Sequence, residues 1–322
     1  MRIVIKEEQN GVMLRQLLKQ ELHLSVKMLK YLKYRPDGIC VNGERCTVRR
    51  ILREGDVLTL ATEDSGISPK NPPVRLPIGI LYEDEDLVVP LKPANMPTHP
   101  SHDHYDDTLA NALAYRYASR GEAFVFRPIN RLDRNTSGLL LIARNKMTAG
   151  ILTNAMQQGQ IQKSYLAVLD GELEETEGVI DACLHRTEKS IIVREVCSPD
   201  APDADPARTE FRVLARAQGH TLVEARPITG RTHQLRVHFA HLGHPITGDD
   251  LYGSPSPHID RHALHARTLT FPLPQSGERI TLTAPLTQDL SDLLRRYFPE
   301  HPYAQERSFS LESPSETEAY EP

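Results

Sequence analysis

Between residues 162 and 228 the chain carries four strand-like runs in near succession, QKSYLAVLDG, KSIIVREV, TEFRVLAR and TLVEARPI, with no helical repeat between them. Parallel strands need a long crossover, usually a helix, whereas antiparallel strands can be joined by a turn. The succession therefore predicts an α+β fold on a mixed, largely antiparallel sheet rather than a doubly wound α/β fold. Further strands are predicted at IGILYEDEDLVVPLKPA, GLLLIAR, HALHARTLTF and RITLTAPL. From residue 78 onward helical spacing is confined to DTLANALAYRYASRG, residues 146–158, THQLRVHFAHLG and TQDLSDLLRRYF. Neither GxGxxG nor a phosphate-loop motif is present, so no nucleotide cofactor is expected.

The 322 residues divide by composition. Residues 1–62 read as a compact basic unit of two helices and a small hairpin, with twelve Lys or Arg against seven Asp or Glu before residue 61. Leu14, Leu17, Leu18 and Leu22 fall at helical spacing, SVKMLKYLKY repeats the pattern behind a capping Ser25, and VNGE supplies a hairpin turn. Residues 63–77, rich in Pro, Gly and Ser, read as a linker, and residues 78–299 as the main domain. From Glu300 onward six acids stand against Arg307 alone, and residues 300–322 read as an acidic, disordered tail.

RPINRLDRNTSGLLLIARN places Asp133 between Arg131 and Arg134 and runs on through Thr136, Ser137 and Gly138 into an apolar strand. Flanking guanidinium groups favour the ionised carboxylate, which suits nucleophilic or electrostatic work better than proton donation. An arbitrary Arg-x-Asp-Arg is most often a loop ion pair. The small hydrogen-bonding residues that follow suit a tight turn presenting Asp133 at the mouth of a strand, where catalytic groups concentrate.

RLDRNTSGLLL resembles the aspartate motif of the RluA-type RNA pseudouridine synthases. In the family's order, LKPANMPTHP (91–100) is similar to its Lys-Pro motif, QKSYLAVLDG (162–171) to its Lys-x-Tyr motif, and GRTHQLRVHFAHLGHPITGDDLYG (230–253) to its arginine motif. HALHARTLTF resembles its closing segment, so that the likeness spans roughly residues 78–298. Residues 1–62 resemble the small alpha-L RNA-binding domain of a ribosomal small-subunit protein. The resemblance implies isomerisation of uridine to pseudouridine in RNA without a cofactor, on a pseudouridine synthase-like fold. It implies Asp133 as the catalytic group, attacking sugar or base or abstracting a sugar proton. It further implies Tyr165 stacked on uracil, Arg231 paired with Asp133, Leu235 supporting the base, Arg131 entering the stack of the extruded nucleotide, and Arg134 contacting the RNA. Two positions depart from the family pattern. Asn95 stands for a glycine and tolerates left-handed angles, and Asn130 stands for a histidine and retains a hydrogen-bond donor.

Lys27, Lys30, Lys33 and Arg35, interleaved with Tyr31 and Tyr34, suit RNA contact, against the alternative of a solvated helix face. Ribosomal RNA is the expected partner and transfer RNA the second. Histidines at 99, 102 and 104, at 233, 238, 241 and 244, and at 258, 262 and 265 lack the spacing of a metal pair, and no metal is expected. Cys40, Cys46, Cys183 and Cys197 form no Cys-x-x-Cys pair and receive no chemistry. No run reaches membrane-spanning length and the N-terminus lacks an export signal, so a cytoplasmic protein is expected, and nothing requires more than a monomer. The rival readings are a catalytically idle RNA-binding protein on the same scaffold and a nucleoside hydrolase. A hydrolase normally uses two carboxylates where this motif has one.

Overall fold

A computed structural model describes residues 1–322 except 23, 25, 62–70, 189, 191 and 310–322, and the side chain of Lys27. The proposed Ser25 cap and most of the expected linker lie outside the described residues. The N-terminal module contains β1 (Arg2–Val4), α1 (Leu14–Gln16), α2 (Val26–Tyr34), β2 (Ile39–Val41), β3 (Glu44–Arg45) and β4 (Val57–Leu60). Its sheet runs β1-β4-β2-β3, all antiparallel. The expected hairpin is thus half of a four-stranded sheet, because MRIVI pairs with β4 and buries Ile3 and Ile5. After α1 the chain widens into a π-helical turn, Leu17–Glu21, in which Leu22 N–H donates to the Leu17 carbonyl. All four leucines of the helical pattern are buried.

The main sheet has ten strands, built from β5 (Gly79–Glu83), β6 (Leu87–Lys92), β7 (Ser137–Leu139), β8 (Ile142–Ala143), β9 (Gln162–Asp170), β10 (Glu177–Asp181), β13 (Arg208–Ala217), β14 (His220–Pro227), β15 (Leu264–Pro272) and β16 (Arg279–Thr283). The order is β10-β13-β14-β9-β15-β7-β6-β5, with β16 on β15 and β8 on β6. Only β15 and β7 run parallel, so the α+β class with a mixed, largely antiparallel sheet holds. The helices are α3 (Leu109–Ala118), α4 (Lys146–Gln157), α5 (Gln234–His241) and α6 (Gln288–Tyr297). Two residues of KSIIVREV, 189 and 191, lie outside the described residues; its end forms β12 (Arg194–Cys197), which pairs with β11 (Cys183–Arg186) as a hairpin and sets Cys183 opposite Cys197.

The single strand expected at GLLLIAR is broken into β7 and β8. Pro90 of β6 has no N–H to give the ladder, and the Asn130 side-chain Oδ1 accepts the Leu141 N–H at 2.8 Å. Asn130 therefore accepts at this place rather than donating. Asn95 adopts φ +59°, the left-handed turn expected of it. The start of the expected disordered tail is a correction. Pro302–Gln305 forms a helical turn with Ala304 buried, Glu306 pairs with Arg267 at 2.6 Å, and Phe309 N–H donates to the Leu286 carbonyl at 2.7 Å. The apolar Tyr303, Ala304 and Phe309 offset the polarity of the stretch, and residues 310–322 lie outside the described residues.

Candidate active site

Asp133 sits on a tight turn just ahead of β7, closed by Thr136 N–H donating to the Asp133 carbonyl at 3.1 Å. The turn is tied down from several elements. Thr98 Oγ1 donates to the Leu132 carbonyl (2.8 Å), and the Lys92 ammonium donates to the carbonyls of Pro93, Met96 and Arg134 (2.8, 2.8 and 2.9 Å). Arg261 donates to the Asn135 carbonyl (3.1 Å). Thr136 and Ser137 hydroxyls meet His262 Nε2 and His265 Nδ1, each at 2.8 Å. Gly138 is required by close approach: its φ is +113°, and a Cβ there would stand 2.3 Å from the Ala266 carbonyl oxygen on β15. The small residues that follow the aspartate thus let β7 lie against β15 with its hydroxyls paired.

Opposite the Asp133 carboxylate stands the first turn of α5. Arg236 donates through Nε and Nη2 to both oxygens of fully buried Asp249, at 2.7 Å each, which turns Nη1 to within 3.8 Å of Asp133 Oδ2. At an effective dielectric of about 20, unit charges that far apart attract by about 4 kcal/mol. Arg236 also lies 5.0 Å from the Tyr252 ring. The Tyr252 hydroxyl accepts from Arg194 N–H (2.9 Å) and shares a hydrogen bond of 2.8 Å with His233 Nδ1. The other ring nitrogen, His233 Nε2, lies 3.9 Å from Asp133 Oδ2. His233 holds φ +58°, a backbone strain on the order of 1–3 kcal/mol of the kind that clusters at functional sites.

Burial sets the proton affinities of the surrounding groups. Lys92 is lowered to about 7 by burial and then by the Arg261 charge, with Asp133 opposing. His262 is lowered to about 3 by burial and by Arg236, so it contacts Thr136 as a neutral ring. The Tyr165 hydroxyl is pushed well up by burial and by the negative charge of Asp133, so it stays a neutral phenol within range of that charge. Tyr165 stands on β9 in register with Ala266 and Ala225, and Leu235 packs in the same core cluster.

One expected pairing is corrected. Arg231 does not meet Asp133. It is exposed ahead of α5, 3.1 Å from Asp205, and donates to the Pro206 carbonyl at 3.1 Å. Residue 231 precedes the helical N-cap His233, whereas residue 236 lies one turn inside and faces the site. Arg131 and Arg134 are exposed beside Asp133, and Arg134 Nη1 lies 3.3 Å from His104 Nε2. Lys30 and Lys33 are exposed on α2, while Arg35 donates to the Tyr31 hydroxyl at 2.8 Å. Sequence reasoning missed Arg236, His233, Asp249, Tyr252 and Lys92. The signal for the first two was the i, i+3 spacing of His233 and Arg236. Among the described residues no cluster of His, Cys, Asp or Glu could hold a metal, and no helix is long and apolar enough to cross a membrane.

The RNA pseudouridylate synthase family profile matches residues 86–241. An uncharacterized RNA pseudouridine synthase of Bacillus subtilis, YjbO, is 37% identical over 275 residues, covering 85% of this chain and 96% of that one. The ribosomal large subunit pseudouridine synthase D of Xanthomonas campestris is 35% identical over 272 residues, 79% of each chain. Among solved structures, human RNA pseudouridylate synthase domain containing 1 superposes with a TM-score of 0.55 at 31% identity, covering 65% of this chain and 83% of that one. The fold and these likenesses together define an RNA-modifying isomerase. The chain belongs to the RNA pseudouridine synthase family, and its relatives include RluA-type enzymes.

Proposed function

We propose that this pseudouridine synthase acts on uridines of structured ribosomal RNA, in the cytoplasm, with Asp133 as the group that works on an extruded nucleotide. The observation that carries this reading is the half-buried Asp133 carboxylate facing Arg236 and His233, with its charge felt by the buried Tyr165 hydroxyl. In the reaction the N1–C1′ bond breaks, uracil turns, and C5 bonds to C1′; C5 loses a proton and N1 gains one. No water is consumed, so one carboxylate suffices where glycoside hydrolysis normally takes two. Tyr165 and Leu235 form the floor on which uracil rests, and Arg236 takes the place the sequence assigned to Arg231. Exposed Arg131 suits the gap left by the flipped nucleotide, and Arg134 the backbone beside it.

Residues 1–62 act as a recruiting RNA-binding domain of the alpha-L type, with residues 78–299 as the catalytic domain. Lys30, Lys33 and Arg35, and Lys27 beside them, supply its charge. Lys33, Arg45 and Arg49 also rim a groove of about 600 Å³ floored by Leu32, Ile39 and Val48. Ribosomal RNA is favoured by the substrate named for the Xanthomonas relative. The test uses a large-subunit ribosomal RNA transcript carrying tritium at uracil C5. Native protein should release tritium to water, and Asp133→Asn should release none while binding the transcript equally well. Free uracil as product would indicate a hydrolase, and binding with neither product would indicate an idle binding protein.

A further inference from the structure

The loop that follows the Lys-Pro motif is tied to Arg134, one of the two arginines flanking Asp133. Ser101 and His104 exchange backbone hydrogen bonds at 3.0 Å each, and Asp103 takes φ +67° to close the turn. His104 Nδ1 lies 2.6 Å from Asp107 Oδ2. Nδ1–H therefore donates to the carboxylate, which leaves Nε2 as the acceptor for Arg134 Nη1 at 3.3 Å. At the start of the loop, burial and the nearby Arg131 charge hold His99 below its ordinary value. The Tyr105 carbonyl accepts from Asn111 Nδ2 at 3.1 Å, which fixes the loop to the first turn of α3.

On this anchored loop Tyr105 is 64% exposed. A large aromatic left in solvent, on backbone that its neighbours pin, is spared most of the ordering cost of binding a planar partner. With two exposed guanidinium groups on the adjoining loop, the arrangement is that of single-stranded nucleic-acid platforms, which pair ring faces with cations. We propose that the Ser101–Asp107 loop reads the RNA beside the target uridine, with Tyr105 stacking on a flanking base and His104, braced by Asp107, as the positioning residue that ties the loop to Arg134. This rests on the RNA reading above.

The test measures tritium release and equilibrium binding on the same large-subunit transcript. Tyr105→Ala should raise KM and Kd by roughly tenfold, the range expected when one base stack is removed, with kcat unchanged. The salt dependence of binding should also stay as in the native protein, because the phenol neutralises no phosphate. Tyr105→Phe should match the native protein. His104→Ala should raise KM in the same direction, and Tyr105→Ala added to it should cost little more, because the ring is then already misplaced. Unchanged KM and Kd for Tyr105→Ala would overturn the proposal, as would a loss shared in full by Tyr105→Phe or strict additivity in the double variant. Native protein that binds the transcript but releases no tritium would count against the isomerase reading alone. The binding arms would still decide the role of Tyr105.

Discussion

Arg236 commits two of its three nitrogens to hydrogen bonds with Asp249 and turns the third toward Asp133, so it is at once a structural and a site residue. Arg236→Ala would strand the buried Asp249 charge at about 3–5 kcal/mol and would report mainly on folding. Arg236→Lys separates the two roles. A point charge can neutralise Asp249 but cannot present a planar fork to both carboxylates. We expect Arg236→Lys to melt within several degrees of the native protein in calorimetry while kcat falls at least tenfold. Equal kcat would show that Asp133 works without this cation. Asp249 itself is held below the usual carboxylate range: burial raises it, and the Arg236 hydrogen bonds and charge overcome that. Its stabilising contribution is therefore present at neutral pH and lost only as pH falls through its depressed value.

Lys92 titrates in the opposite sense for stability and for activity. Its folded value of about 7 lies below the ordinary 10.5, so between these limits the unfolded chain binds the extra proton. Stability from this residue is full above 10.5 and is lost as pH falls to 7, at roughly 1.4 kcal/mol per pH unit. The three carbonyls of Pro93, Met96 and Arg134 need three N–H donors, and a neutral amine has two. Relative to Lys92→Met, urea-derived stability of the native protein should rise with pH above 7 while tritium release falls. A flat stability difference across that window would refute the titration.

Among the elements, the β7–β15 contact governs how Asp133 is presented. Gly138→Ala would force a Cβ onto the Ala266 carbonyl at a positive φ, and β7 must move away. We expect a loss of several degrees in melting temperature and a fall in kcat larger than any change in RNA Kd. A native melting curve and kcat would show that the strand pair tolerates the shift. The turn ahead of this contact was legible in Thr136-Ser137-Gly138, but the pairing of β7 with β15, more than 120 positions away, was not. The antiparallel succession and helices α3 to α6 were legible too, because their periodicities are local. Three-residue β1 was not, since its pairing with β4 spans more than fifty positions of chain. Nor was the choice between Arg231 and Arg236. Both stand in one motif, and only the start of α5 at Gln234 decides which one turns inward.

At the scale of the molecule, the N-terminal module does not close its own core. Met147 and Ile151 of α4 are buried in the same cluster as Leu17, Leu32 and Leu58, and Lys6 Nζ donates to the Ser276 carbonyl at 3.2 Å. Lys146 Nζ also stands 5.8 Å from the Tyr31 ring, beside Arg35. Deleting residues 1–61 would therefore uncover an apolar patch on the catalytic domain as well as remove cations. We expect the bare deletion to melt lower and aggregate, and Met147→Gln with Ile151→Gln to restore solubility to it. In the repaired deletion the log–log salt slope of transcript binding should flatten by about 0.7–0.9 for each phosphate that the module had neutralised, while tritium release at saturating RNA persists. An unchanged slope would mean that the basic face of α2 touches no phosphate, and the module's role would then reduce to covering Met147 and Ile151.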